Sequence, residues 1–205
     1  MTDVVLWRHG RTEYNAARRL QGQIDIPLDE VGRWQGTTAA AALFARHTPV
    51  RIVSSDLVRA FDTARYLGEL AGIEVEKDVR LRERAFGDWE GLTAEQIHAD
   101  YPAEAARWSS ANAVERPGAE SPGEVGERMA EAIRDLAAAT EGTLVLVSHG
   151  AAIALGISAL LGQDPASWRG VAGVDNAHWS HLAPTRGGAA PGWRLQGHNV
   201  GPSVS

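Results

Sequence analysis

The sequence predicts a single α/β domain, built on a mostly parallel β-sheet that is covered by helices on both faces. Two observations support this prediction. Short apolar strands alternate with helical segments along the chain, which is typical of a parallel sheet buried between layers of helices. The length of 205 residues suits one domain better than two, and a hydrophobic content of 44% is enough for one buried core.

The predicted strands are short and mostly apolar segments. They cover residues 4–7, 51–54, 73–76 and 144–147. Strands that are apolar at nearly every position, rather than at alternate positions, indicate burial on both faces of the sheet.

Helices are predicted between these strands, and capping residues mark where they start. A capping side chain accepts a hydrogen bond from a free backbone N–H of the first helical turn. The predicted helices cover residues 30–47, 56–70, 122–140 and 151–161, and a short helix is expected to start at Asp164 and Pro165. The capping signals are Asp29, the T-x-x-Q pair Thr93 and Gln96, and the run Ser121, Pro122 and Glu124, while Gly72 ends the second helix.

Two regions depart from the alternating pattern. Residues 93–120 are helical but less apolar, and we expect them to form a cap over one end of the sheet rather than a separate domain. Residues 177–182 and 193–196 are predicted to be two edge strands, joined by an exposed loop over the Pro- and Gly-rich residues 184–192.

Composition excludes several classes of function. A net charge of −6 is a poor match for nucleic-acid phosphates, which need a broad basic face. The sequence has no Cys, which excludes disulfides and thiolate metal sites and fits a reducing compartment. No apolar run approaches the roughly 20 residues of a membrane-spanning helix. Because no basic leader precedes an apolar stretch at the start, a mature cytoplasmic protein is expected.

Two strands end in the same pattern. Residues 4–10 (VVLWRHG) and 144–150 (LVLVSHG) are apolar strands followed by a polar residue, then His, then Gly. Ligands of open parallel sheets bind beyond the carboxyl ends of the strands. If these two strands are neighbours, His9 and His149 meet at that edge.

Arginines accompany the two histidines. Arg8 precedes His9, and Arg59 lies one turn into the helix after the strand at 51–54. Guanidinium groups offer a planar fork of donors that suits phosphate oxygens, and a neutral imidazole is a good nucleophile near pH 7. The sequence therefore predicts phosphoryl transfer to a histidine. The proton donor for the leaving oxygen is expected in residues 81–91, with Glu83 as the leading candidate and Asp88 and Glu90 as its rivals.

Other readings of the polar residues are less favoured. No G-x-S-x-G motif supports a serine hydrolase, and no G-x-G-x-x-G or G-x-x-x-x-G-K-[ST] motif supports a nucleotide cofactor. His178 and His181 are predicted to lie on opposite faces of a strand, which is poor metal geometry, so neither a metal nor a cofactor is expected. His47 and His98 are expected to be solvated on helices, and Trp89 is expected near the site.

Five segments together resemble the histidine phosphatase superfamily, also called the phosphoglycerate mutase-like family. The resemblance covers nearly the whole chain, and five motifs in the same order are highly specific. The segments are residues 8–15 (RHGRTEYN), 54–64 (SSDLVRAFDTA), 81–91 (LRERAFGDWEG), 117–121 (PGAES) and 147–150 (VSHG).

This resemblance implies a fold and a set of roles. The fold is three-layered, with a mainly parallel sheet flanked by helices and one antiparallel edge strand. His9 would be the phosphorylated nucleophile, and Glu83 the proton donor. The phosphate pocket would be formed by Arg8, Arg59 and His149, and the substrate would be bound by Asn15, Gln21, Gly22 and Gly150.

Within the superfamily, the sequence favours a phosphatase acting on a small phosphorylated metabolite, either a sugar phosphate or a phosphoglycerate derivative. Mutases that resemble this chain carry extra basic residues after the acid-bearing segment, whereas residues 93–100 contain neither Lys nor Arg. Residues 21–33, 117–121 and 170–182 most resemble actinobacterial phosphatases of the superfamily. A cofactor-dependent phosphoglycerate mutase and a non-catalytic phospho-ligand binder stay open as alternatives, and a homodimer stays open as the assembly.

Overall fold

The computed structural model describes residues 2–111 and 118–202. The strands are β1 (Asp3–Arg8), β2 (Arg51–Ser54), β3 (Val75–Lys77), β4 (Thr143–Ser148), β5 (Trp179–Pro184) and β6 (Trp193–Val200). The helices are α1 (Glu13–Ala16), α2 (Glu30–His47), α3 (Val58–Ala71), α4 (Ala94–Asp100), α5 (Pro102–Ala111), α6 (Pro122–Ala138) and α7 (Gly150–Leu160).

The six strands form one sheet in the order β3-β2-β4-β1-β5-β6. β1, β2, β3 and β4 pair in parallel, and β1 lies beside β4 with Arg8 opposite Ser148. β5 is the reversed strand, antiparallel to both β1 and β6. The mostly parallel α/β fold is therefore confirmed, with the antiparallel pair at one edge of the sheet.

Helices cover both faces of the sheet. Successive side chains of a strand point to opposite faces, so a central strand packs against both layers of helices. Val4 and Leu6 of β1 pack with α6 and α7, and Val5 and Trp7 pack with α2 and α3. The result is a three-layer arrangement in which β1 and β4 are buried in the centre. Both strands are thereby held in fixed register, with their carboxyl ends at the same edge.

The capping signals act as the sequence predicts. The side chains of Asp29, Thr93 and Ser121 each accept a hydrogen bond from the first turn of the following helix. α3 is different: it begins at Val58 rather than Asp56, and the carboxylate of Asp25 accepts the Val58 N–H at 2.7 Å. A residue from a distant loop therefore caps this helix.

Some predicted bounds are wrong. Asp164 and Pro165 do not start a helix; the Asp164 carboxylate instead accepts hydrogen bonds from Ala166 and Ser167 in a turn. The third strand is shifted to 75–77, because the Ile73 N–H closes the end of α3 on Gly68. β5 begins only at Trp179, because Ala177 has a left-handed backbone with a φ of 60°.

A third, smaller apolar cluster lies under the described part of the predicted cap. It contains Phe86, Trp89, Ile97 and Ala105, with Trp108 packed against it. Trp89 is fully buried here. Pro117 of the PGAES segment lies outside the described residues. None of the helices in the described ranges is long and apolar enough to cross a membrane.

Candidate active site

The two strand-end histidines meet at the carboxyl edge of the sheet. The ring centroids of His9 and His149 lie 5.0 Å apart with a tilt of 60°. The backbone N–H of His9 donates to the Ser148 carbonyl at 3.1 Å. This hydrogen bond extends the pairing of β1 and β4 to the point where the two histidines follow their strands. The pairing of two parallel strands thus produces the juxtaposition that the sequence predicts.

The imidazole of His9 has a defined tautomer. It is 2% exposed, and its Nδ1 lies 2.6 Å from the Gly10 carbonyl oxygen. A carbonyl can only accept a hydrogen bond, so Nδ1 carries the proton and the lone pair resides on Nε2. The backbone of His9 is fixed as well, since its carbonyl accepts hydrogen bonds from Ala177 N and Asn176 Nδ2.

His149 lies behind His9, fully buried. Its Nε2 is 2.9 Å from Ser55 Oγ, and its Nδ1 is buried without a partner in the described residues. Burial is the main cause that lowers the pKa of both imidazoles well below 6.5, and the charges of Arg59 and Arg8 lower both further. Both rings are therefore neutral at pH 7.

The two arginines are held by backbone carbonyls. Arg59 donates to the carbonyls of Ile24 and Gly22, each at 2.8 Å, and Arg8 donates to Val174 at 2.6 Å. The Nε atoms of Arg8 and Arg59 are buried and have no partner within residues 2–111 and 118–202. Burial lowers the pKa of Arg59 to about 10, which still leaves Arg59 charged at pH 7. Burial also lowers the pKa of Arg8, and the negative charges of Glu83 and Asp175 oppose that shift.

Glu83 is fixed by three backbone N–H groups. Its Oε1 accepts from Arg84 at 2.8 Å and from Ala152 at 2.9 Å, and its Oε2 accepts from Ala151 at 3.2 Å. Two of these donors belong to the amino terminus of α7, where helical N–H groups lack partners within the helix. Oε2 therefore accepts one of these three hydrogen bonds, the longest, and is the less firmly held of the two oxygens.

The rivals of Glu83 have other positions. The Oε1 atom of Glu90 accepts hydrogen bonds from the backbone of Gln23 and Phe86, both at 3.0 Å, so this carboxylate joins two loops. Asp88 is exposed. Neither side chain lines the cavity that Glu83 lines.

A cavity of about 460 Å³ opens at this edge of the sheet. It is lined by Arg8, His9, Arg59 and Glu83, while His149 supports it from behind. The predicted substrate-binding residues Asn15, Gln21, Gly22 and Gly150 also line it. Every site residue predicted from the sequence is therefore gathered in or directly behind one cavity.

The backbone conformation at position 22 requires glycine. Its φ is +52°, and a Cβ added there would lie 2.0 Å from Glu90 Oε1. Only glycine adopts this conformation without strain and leaves room for the carboxylate. The Gly22 carbonyl can thus reach Arg59 while Glu90 holds the next residue of the same loop.

Several residues in or next to the cavity were not predicted from the sequence. Asn176 donates to Asn15 Oδ1 at 3.1 Å as well as to His9, and so joins three segments. Trp108 and Trp168 line the cavity, whereas Trp89 does not line it but packs against Trp108 at a ring-centroid distance of 5.4 Å. The other unpredicted lining residues include Arg19, Arg84 and Arg169.

The histidines outside the site have ordinary surroundings. His47 is half-buried against Trp179 and His181, so the expectation that it is solvated is wrong, whereas His98 is exposed as expected. His181 Nε2 lies 3.3 Å from Asp3. In the described parts of the chain, no three His, Asp or Glu side chains are grouped so as to hold a metal ion.

Comparison with known proteins identifies the family. Residues 4–200 match the histidine phosphatase superfamily, branch 1. The glucosyl-3-phosphoglycerate phosphatase of Mycobacterium tuberculosis is 40% identical over 98% of this chain and 96% of its own length. A solved mycobacterial glucosyl-3-phosphoglycerate phosphatase with VO3 has a TM-score of 0.87, 42% identity, and coverage of 96% of this chain and 98% of that one.

Two further relatives have related activities. A probable phosphoglycerate mutase of Serratia proteamaculans is 37% identical over 79% of this chain and 76% of its own. The structure of a phosphoserine phosphatase from Entamoeba histolytica, in complex with 3-phosphoglyceric acid, has a TM-score of 0.81. It is 28% identical and covers 98% of both chains.

Proposed function

The chain belongs to the histidine phosphatase superfamily, and we propose that it hydrolyses a small phosphorylated metabolite by way of a phosphohistidine on His9. The observation that carries this proposal is the tautomer of His9. With Nδ1 bound to the Gly10 carbonyl, Nε2 is the nitrogen with the lone pair, and His9 lines the cavity. Because the ring is neutral, that lone pair is free to attack phosphorus.

The groups that would hold the phosphoryl group are arginine N–H donors. The Nε–H groups of Arg8 and Arg59 have no partner in the described part of the chain, and both side chains line the cavity with His9. Such preorganised donors stabilise the negative charge that spreads over the equatorial oxygens in the transition state. This accounts for two buried cations beside a nucleophile in an acidic protein.

His149 adds a neutral donor to the same group. Ser55 Oγ lies 3.4 Å from the Leu57 N–H, which donates to it, and 2.9 Å from His149 Nε2. We infer that the serine hydroxyl donates to Nε2, an arrangement in which the proton of the imidazole resides on Nδ1. Among the described residues Nδ1 has no hydrogen-bond partner, so its N–H would be available to a phosphoryl oxygen.

Glu83 supplies and recovers the proton. In the first step Nε2 of His9 forms a bond to phosphorus, the ester P–O bond breaks, and Glu83 gives its proton to the leaving oxygen through Oε2. In the second step water attacks phosphorus, Glu83 takes the proton of that water, and the N–P bond breaks to release phosphate. Positioned acid–base groups of this kind contribute roughly 10²–10⁴-fold to the rate.

For the substrate we propose a phosphorylated three-carbon acid or its sugar derivative. The support is the name of the relative that is 40% identical over nearly the full length of both chains, a glucosyl-3-phosphoglycerate phosphatase. The cavity volume of about 460 Å³ suits a small metabolite. Cytoplasm is the proposed compartment, since a chain without Cys suits reducing conditions. The homodimer stays a prediction, which light scattering would check.

Trapping the phosphoenzyme tests the proposal. Wild-type protein mixed with ³²P-labelled substrate and quenched in alkali should carry an acid-labile label. The variant His9→Ala should carry none and should lose hydrolysis. His98→Ala, which changes an exposed histidine on α4, is the matched control and should be labelled as the wild type is. Label in His9→Ala would contradict the assignment.

A second measurement separates phosphatase from mutase. With 3-phosphoglycerate, the protein should release inorganic phosphate or leave the compound unchanged. Efficient conversion to 2-phosphoglycerate with little phosphate released would instead favour the mutase, to which one relative also points.

A further inference from the structure

The loop that carries Glu83 is held by one guanidinium from α6. Arg128 makes five hydrogen bonds, and three of them go to backbone carbonyls of that loop. The carbonyls of Arg80 and Arg82 each accept at 2.8 Å, and the carbonyl of Glu83 accepts at 3.1 Å. The other two hydrogen bonds, of 2.7 and 2.8 Å, go to the two carboxylate oxygens of Glu120. A guanidinium has five N–H donors, so Arg128 uses all of them.

Glu120 holds the same loop on the other side of Glu83. Its carboxylate accepts the backbone N–H of Ala85 at 2.9 Å, and its own backbone N–H donates to the Ala85 carbonyl at 3.0 Å. Burial raises the pKa of Glu120, but the hydrogen bonds from Arg128 and from Ala85 outweigh burial, so the net pKa is lowered and the carboxylate is charged at pH 7. The ion pair therefore fixes the backbone both before and after position 83.

Both members of the pair are fixed to α6. Glu120 directly precedes Ser121, whose side chain caps this helix, and Arg128 lies on the helix itself. α6 and α7 are buried in the same apolar cluster. The first turn of α7 supplies the N–H groups that the Glu83 carboxylate accepts. Glu83 is thus held at its backbone from α6 and at its carboxylate from α7.

The loop needs such support because residues 83–85 belong to no helix or strand. Their backbone groups therefore lack the hydrogen bonds of regular secondary structure, and the ion pair supplies several of them. Position matters for a proton donor, which must lie within roughly 2.6–3.2 Å of the atom that receives its proton. A misplacement of about 1 Å can reduce the rate roughly 10²-fold.

We propose that Arg128 and Glu120 form a positioning pair that holds the Glu83 carboxylate at the leaving oxygen of the substrate. This rests on the proposed function, in which Glu83 is the proton donor. Neither member of the pair is among the described lining residues of the cavity, so the pair acts through Glu83 and not on the substrate. Because its two charges are opposite and paired, the pair contributes directed hydrogen bonds rather than net charge.

Arg128→Lys separates directed hydrogen bonds from charge. Lysine keeps the positive charge, but its three donors share one nitrogen and cannot reproduce the five hydrogen bonds of the guanidinium fork. Keeping the charge matters because burial first, and then neighbouring charges that include Arg128, lower the pKa of His149. Glu120→Gln is the second variant, since it keeps the size of the side chain and removes the charged acceptor.

The two kinds of ester should respond differently in both variants. For an alkyl phosphate that the wild type hydrolyses, chosen from glycerol 3-phosphate, phosphoserine and 3-phosphoglycerate, kcat should fall at least about tenfold. KM should change little, because Arg8 and Arg59, the phosphate end of the cavity, are untouched. The nitrophenolate of p-nitrophenyl phosphate leaves without a proton, so the burst of nitrophenol should keep its wild-type rate. A general loss of folded protein would instead reduce both reactions alike.

Arg51→Lys is the matched control. Arg51 also pairs with a carboxylate through two hydrogen bonds, both of 2.7 Å to Glu76, but it is the first residue of β2, at the opposite end of that strand from the site. This variant should hydrolyse both esters as the wild type does. Hydrogen exchange provides a readout without catalysis: in Arg128→Lys the amides of Ala151 and Ala152 should exchange faster, while those of β4 should not change.

The outcomes separate this inference from the proposed function. Equal slowing of both esters in the two variants, or wild-type hydrolysis of the alkyl ester, would overturn the positioning role alone, provided that Glu83→Gln distinguishes the esters. If Arg128→Lys does not fold, Glu120→Gln decides. A wild type that forms no phosphoenzyme would overturn the proposed function, and exchange of the Ala151 and Ala152 amides then tests by itself whether the pair places the Glu83 carboxylate.

Discussion

The ring centroids of His9 and His149 lie 5.0 Å apart, although the two residues are 140 positions apart in the sequence (149 − 9). Both rings are buried, and both are neutral because burial and two neighbouring arginines lower their pKa values. The positive charge of the phosphate end therefore comes from Arg8 and Arg59, and the histidines provide a lone pair and a hydrogen-bond donor. This division of roles leads to four predictions.

Replacing Glu83 with Gln should affect esters according to their leaving group. An alkoxide needs a proton as it leaves, so hydrolysis of sugar phosphates should fall roughly 10²–10⁴-fold. A nitrophenolate leaves unaided, so p-nitrophenyl phosphate should still phosphorylate His9. Stopped-flow absorbance should show a burst of nitrophenol, followed by slow turnover because water is no longer activated.

Asp88→Asn is the matched control for this variant, since Asp88 is an exposed carboxylate in the same segment. It should hydrolyse both kinds of ester as the wild type does. If Glu83→Gln slows both esters equally and accumulates no phosphoenzyme, another group is the acid.

Removing the guanidinium of Arg59 should weaken both binding and catalysis. Arg59→Ala should raise KM at least about tenfold, because a charged hydrogen bond to the phosphate is lost. It should also lower kcat roughly 10²-fold, because the transition-state charge loses a preorganised donor. Steady-state kinetics measure both constants.

Arg18→Ala should leave KM and kcat unchanged, since Arg18 is exposed and outside the cavity. Arg19 is not a suitable control, because it lines the cavity and donates to the Gly91 carbonyl at 2.6 Å. Full activity of Arg59→Ala would remove Arg59 from the site.

The protonation of His9 should respond to Arg59. Because its pKa is lowered well below 6.5, His9 should stay neutral at pH 6.5 and gain its proton only at lower pH. Arg59→Met removes a positive neighbour and should move this titration to higher pH, whereas Arg18→Met should not. Nitrogen-15 NMR of the imidazoles follows the titration directly, and a His9 that is half protonated at or above pH 6.5 in the wild type would contradict the prediction.

Chelation should leave activity intact, and vanadate should inhibit it. The proposed mechanism uses only side chains and water, so exhaustive EDTA treatment should not change the rate of phosphate release. Vanadate resembles the transferring phosphoryl group, which the site binds best in its transition state. Loss of activity on chelation, restored by one divalent ion, would refute the mechanism.

The sequence by itself determined the sheet and the inner part of the candidate site. Apolar strands and capping residues are local signals, and they predicted β1, β4, α2 and α6 closely. Since the carboxyl ends of parallel strands share one edge, the repeated His-Gly ending predicted that His9 and His149 meet if their strands are neighbours, and the pairing of β1 with β4 meets that condition. The motif resemblance added Arg59 and Glu83, which the structure places at the same cavity.

Only the tertiary structure decided the outer part of the cavity. Trp108, Trp168 and Arg169 lie in segments whose local sequence carries no signal of what they face, because their positions depend on how these segments pack over the sheet edge. Likewise, Trp89 belongs to a conspicuous motif but packs into the apolar cluster with Phe86, Ile97 and Ala105. Local interactions encode strands and helices, whereas the direction of a loop side chain is set by contacts between residues far apart in the chain.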